Sequence, residues 1–223
     1  MHFLTLLTLL KITHLVGLIM GLGGAILADY TIFTRGVIRP VSPYTIHQTE
    51  FLSHIVLAGL TILWISGCAL IWINLIEHPQ YLTNQKLWAK IAIVVVLTLN
   101  GVFVHKYVLP ILRRSIGNRL FADMPRKYLG VLTLFGSISV VSWAVPFVLG
   151  KASELNYVTP IWNILGVYAI CVLVVWFAMF VVMSSISRIQ TALQKIAAKT
   201  LQPNSMWEQT GWSGSKSVEP AWS

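Results

Sequence analysis

The stretch that decides the fold is Phe51–Ile76, FLSHIVLAGLTILWISGCALIWINLI, which contains no Asp, Glu, Lys or Arg. A helix needs about twenty predominantly apolar residues to cross the hydrocarbon layer of a bilayer, and this run exceeds that length. Four more stretches meet the same test: Leu4–Phe33, Leu87–Leu112, Tyr128–Leu149 and Ile161–Ser185. Lys11 interrupts the first, so its crossing part is read as Ile12–Phe33, with Met1–Leu10 at the interface. No basic segment precedes that run and no small-residue cleavage site follows it, which points to a retained span rather than a cleaved signal peptide. The expected fold is all-α, a bundle of five transmembrane helices within residues 1–185.

Composition agrees. Of 223 residues 56% are hydrophobic and 10% charged, against roughly 45–50% and about 25% in soluble domains. So few charged groups cannot coat a water-soluble surface, and a disordered chain or a disulfide-stapled secreted module is excluded for the same reason. Cys68 and Cys171 lie inside apolar runs, as packed thiols do.

The formal net charge of +9 is spread over short segments between apolar runs, with no basic groove or aromatic-interleaved RNA motif, so no nucleic-acid partner is expected. Arg35 and Arg39 follow the first span. Arg113, Arg114, Arg119, Arg126 and Lys127 follow the third, and Arg188, Lys195, Lys199 and Lys216 follow the fifth. The remaining ends hold only Lys11, Lys86, Lys90 and Lys151. The positive-inside rule places the N-terminus outside and the C-terminus in the cytoplasm of a bacterial plasma membrane. Residues 186–202 carry Ile186, Ile189, Leu193, Ile196 and Ala197 at helical spacing among Arg188, Lys195 and Lys199. They read either as a basic amphipathic helix on the anionic inner leaflet or as an extension of span five. Residues 203–223 lack periodicity and read as a flexible cytoplasmic tail.

Ionisable groups at membrane depth cost at least about 2.5 kcal/mol each and need a reason. The chain carries His14 in span one, His54 in span two, and Lys90 and His105 in span three, with Asp29 and Glu50 near the inner ends. His14 precedes Asp29 by the same fifteen residues that separate Lys90 from His105, about 22 Å of helix. This sorts the groups into two layers: His14 with Lys90 on the outer side, and His54 and His105 with Asp29 and Glu50 on the inner side. Lys90, Val94, Gly101 and His105 share one face of span three, and His14, Gly17, Gly21 and Ala28 share one face of span one. The glycines suit close helix packing and would also leave room for a flat ligand.

Neutral imidazole is an axial ligand of haem iron. His54 and His105 are candidate ligands of one inner haem b, and His14 is a candidate ligand or neighbour of an outer one, about 20 Å away. Lys90 would attract a propionate or a substrate carboxylate. The plainer alternative is that each histidine hydrogen-bonds a carbonyl or carboxylate, as His54 would with Glu50. Copper is the rival metal, although the methionines form no M-x-M or H-x-M cluster. No nucleophile elbow or phosphate-binding loop is present.

Lys11-Ile12-Thr13-His14 followed by a Gly-rich apolar run, together with Leu87-Trp88-Ala89-Lys90 opening a later span, resembles the HemJ-type membrane protoporphyrinogen oxidases. It is also similar to the related CopD-like small membrane proteins, which the Glu50, His54, Gly59 and Gly67 stretch matches more closely. The resemblance covers roughly residues 8–112. It implies that His14 and Lys90 are the functional pair, associated with a b-type haem, while the CopD-like likeness implies copper transport. The fifth span, the long third loop and the tail depart from the HemJ pattern, and His54 and His105 have no counterpart in it. The leading expectation is a haem-b-binding membrane redox protein, possessing catalytic groups Lys90 and His14 if it is an enzyme. Its expected partners are the lipid bilayer, a quinone or porphyrin, and a second membrane protein or a second copy of the chain. A CopD-like copper permease and a non-catalytic membrane subunit are the alternatives.

Overall fold

The computed structural model describes residues 2–37, 40–118, 120 and 124–201. Arg39, Arg119, Lys216 and the whole 203–223 tail lie outside the described residues. The elements are α1 (His2–Thr31), α2 (Pro43–Glu77), α3 (Gln85–Phe103), α4 (Leu109–Arg114), α5 (Arg126–Lys151) and α6 (Ile161–Leu201). Among the described residues there is no strand, only an isolated bridge between Val41 and Ile116. Among the described residues five helical segments are long and apolar enough to cross a membrane: Thr5–Thr34, Pro43–Glu77, Gln85–Arg114, Arg126–Lys151 and Ile161–Leu193. The chain is an all-α, multi-pass membrane bundle.

Local chemistry sets the helix ends. Ser42 Oγ accepts the Thr45 amide at 3.2 Å, and Pro43 occupies the first turn of α2, where its missing N–H leaves nothing unsatisfied. Asn84 Oδ1 accepts the Lys86 amide at 3.2 Å and starts α3. The third span is not one regular helix. A π-helical stretch, Val104–Val108, separates α3 from α4. Pro110 follows directly, and a proline both lacks an amide donor and crowds the carbonyl four residues earlier. A widened turn accommodates that mismatch.

Two segments differ from a simple span-and-loop picture. Lys11 does not break the first helix: α1 runs 30 residues from His2, about 45 Å, so residues 2–10 belong to the same continuous helix as the crossing part. Likewise α6 runs 41 residues without a break to Leu201, about 60 Å, so residues 186–201 continue the helix of the fifth span.

Three apolar clusters stack along the bundle. Val41, Ile46, Leu112, Leu120, Leu129 and Met183 close one end. Ala25, Leu60, Leu63, Leu97 and Trp143 fill the middle. Ala89, Ile93, Leu149 and Ile164 close the other end. Large apolar side chains such as Ile65, Trp72, Val102 and Phe177 point outward, as lipid-facing residues do. Because lipid is as apolar as the core, close packing of small residues holds such helices together. The tightest pair is α1 with α2. A Cβ on Gly59 would lie 2.5 Å from the Gly21 nitrogen and 2.7 Å from the Gly17 carbonyl. The indole of Trp143 on α5 presses against Gly21. The space beside Gly17 and Gly21 is thus filled by α2 and Trp143.

Candidate functional site

His14 sits half-buried on the face of α1 turned to α2. Its Nδ1 is 2.8 Å from Ser66 Oγ, and Ser66 is fully buried. Ser66 Oγ is also 2.6 Å from the Ile62 carbonyl. Two lone-pair oxygens do not approach that closely without a proton between them, so the Ser66 hydroxyl donates to Ile62. Nδ1 of His14 must then donate to Ser66, so Nε2 of the neutral ring carries no proton, and the ring also lies against the Leu63 carbonyl.

Lys90, on α3, lies within electrostatic range of His14. Lys86, one turn earlier, has a different role: its Nζ donates to the Ala152 carbonyl at the C-terminal end of α5, where a cation suits the helix dipole. Lys90 makes no hydrogen bond or ion pair among the described residues. Trp64 Nε1 donates to Thr98 Oγ1 at 3.0 Å, which ties α2 to α3. α1 and α3 therefore contribute an imidazole with an unprotonated Nε2 and, within electrostatic range of it, an ammonium without a partner among the described residues, the imidazole being oriented from α2.

The inner histidines are placed differently. His54 and His105 are both exposed, and no hydrogen bond joins them. His54 Nδ1 is 2.7 Å from the Glu50 carbonyl, and His105 Nδ1, within the π-helical stretch, is 3.2 Å from the Gly101 carbonyl. A carbonyl only accepts, so each Nδ1 carries the proton and each Nε2 is again left as a lone pair. A Cβ on Gly101 would meet nothing within 4 Å, leaving open space one turn from His105. The Glu50 carboxylate does not reach His54. Its Oε1 takes the Arg113 guanidinium at 2.9 Å through Nε and 2.5 Å through Nη2. That ion pair fixes α2 against α4, with His54 one turn and His105 about two turns away along their helices. Asp29 has no hydrogen bond or ion pair among the described residues.

No protein-family model matches the chain, and neither does any curated protein or solved structure.

The case for a site therefore rests on geometry. Among the described residues no three His, Cys, Asp or Glu side chains converge as an all-protein metal site would require. Several participants were not singled out by sequence. Ser66 is one serine among many, and only the neighbouring helix gives it a role. Arg113 reads as a topology charge until Glu50 is found against it. Asn100 is buried with Oδ1 unpartnered among the described residues, and buried Trp143 likewise has an unpartnered Nε1. Asn100 carries a signal that depth alone provides, since an amide in the middle of an apolar span needs a reason as a histidine does.

Proposed function

We propose that the chain is a haem-b-binding integral membrane redox protein, with His54 and His105 as ligands of an inner haem and His14 as a ligand or neighbour of an outer one. The observation that carries this reading is the outer pair: His14 with Nε2 unprotonated, within electrostatic range of the unpaired ammonium of Lys90. All three histidines donate Nδ1–H to a fixed oxygen, the outer bond that orients a ligating imidazole and raises its basicity. A macrocycle brings four of its own ligands to iron and asks the protein for only one or two. Paired or single histidines without a third converging ligand suit that group better than a bare copper ion.

When bound, haem b supplies one-electron chemistry. The chain's own residues bind and orient. Ser66 fixes the His14 ring, the Glu50 and Gly101 carbonyls fix the other two, and Lys90 offers a cation to a propionate or to the carboxylate of a porphyrin substrate. A quinone or porphyrinogen is the proposed electron donor, and a second membrane protein or a second copy of the chain is the proposed acceptor. The proposed setting is a bacterial plasma membrane with the N-terminus outside, as the Lys and Arg bias implies.

An absorption spectrum of the purified protein, with metal analysis, tests the reading. A Soret band with a sharp reduced α band supports it. Stoichiometric copper without haem favours a CopD-like permease, and neither signal leaves a subunit whose polar groups only hold helices together.

A further inference from the structure

Away from the histidines, α5 and α6 flank an open cavity of about 410 Å³ at the end of the bundle where α5 begins. Its polar lining is Arg126 in the first turn of α5 and Ser184, Ser187, Arg188, Thr191 and Lys195 of α6. The α6 residues recur every three to four positions and so share one helix face. Met124, Leu129 and Ala192 supply an apolar wall. Three cations thus meet at one cavity, and no acidic side chain lines it among the described residues. All three are exposed, so their mutual repulsion is screened by solvent, and an anion that joins them gains attraction from each.

Two further observations carry the same sign. Pro125 stands at the start of α5 without a side-chain cap, so the first-turn amides, the positive end of the helix dipole, have no side-chain acceptor. Ser184 Oγ, buried in the lining, has no hydrogen-bond partner among the described residues. The site has what a phosphate requires: guanidinium forks, a point-charge ammonium, a buried hydroxyl donor and helix-end amides. Basic pockets between transmembrane helices take anionic lipid headgroups by this chemistry.

We propose that this cavity binds a phosphate-bearing anion, either the headgroup phosphate of an anionic phospholipid or free phosphate. The test uses the full-length protein in phosphatidylcholine nanodiscs, titrated in one arm with phosphatidylglycerol and in the other with inorganic phosphate at constant ionic strength. Bound lipid is read by mass spectrometry and site occupancy by the shift in Tm. Arg126→Gln, Arg188→Gln and Lys195→Gln are each expected to weaken binding about fivefold. Single controls of equal charge loss outside the cavity, Lys106→Gln, Arg114→Gln and Lys127→Gln, are each expected to change it far less. Far-UV circular dichroism identifies any variant that fails to fold, and the remaining single substitutions still decide the matter. A cavity-dependent response to phosphatidylglycerol alone identifies a lipid headgroup, and a cavity-dependent response to inorganic phosphate identifies free phosphate. Equal binding by wild type, cavity variants and control, or no saturable binding in either arm, overturns the proposal.

Discussion

His14 on α1 and Ser66 on α2 are joined by a 2.8 Å hydrogen bond whose direction is fixed from behind, because the Ser66 proton is engaged by the Ile62 carbonyl at 2.6 Å. The serine thereby selects which imidazole nitrogen is left bare. Ser66→Ala removes the acceptor and frees the ring to change tautomer and rotate. Its expected effect is a loss of about 10–100-fold in affinity for a group ligated by His14, with helicity unchanged. Haem titration of the apoprotein reads it, and unchanged affinity would mean that the Ser66 contact only packs helices.

The inner histidines make a separate prediction. If His54 and His105 serve one iron, then His54→Ala and His105→Ala each abolish the same low-spin absorbance and paramagnetic resonance signal. A wild-type spectrum in either variant removes the shared-ligand assignment and leaves two histidines bonded to their own helices.

Lys90 differs from Lys86 in lacking a described partner, although the two are one turn apart. Lys90→Met keeps similar volume while removing charge. The expected result is lower haem content or activity at normal expression and helicity. Retention of both would make Lys90 an interface anchor whose ammonium reaches the headgroups.

The α1–α2 contact gives a stability prediction independent of any cofactor. Gly59→Ala drives a Cβ into the backbone of Gly17 and Gly21, and overpacking of this kind costs about 1–3 kcal/mol. Gly23→Ala meets nothing within 4 Å and is expected to be neutral or slightly stabilising, since alanine is the better helix former. Melting temperatures in detergent compare the two directly, and equal values would contradict the packing account.

Orientation is tested at the charged ends. Twelve of the sixteen Lys and Arg fall on the side assigned to the cytoplasm: Arg35, Arg39, Lys106, Arg113, Arg114, Arg119, Arg126, Lys127, Arg188, Lys195, Lys199 and Lys216. A reporter fused after Lys199 is expected to be active only as a cytoplasmic fusion. Labelling of a cysteine near Arg119 by an impermeant external reagent would reverse the assignment.

By itself the sequence determined the number and approximate limits of the spans, because apolar length is a local property that the bilayer reads without help from neighbouring helices. It also ordered the polar groups by depth: a fixed rise per residue put His14 and Lys90 on one level before any contact was known. What only the tertiary structure decided was the rotation of each helix about its axis. Rotation sets Gly59 against Gly17 and Gly21, gives His14 to Ser66, turns Lys86 to the end of α5 while leaving Lys90 unpaired, and engages Glu50 with Arg113 instead of His54. It also gathers Arg126, Arg188 and Lys195 around one cavity. Those choices depend on close packing between segments far apart in the chain, where almost every side chain is apolar and hydropathy alone barely distinguishes one helix face from another.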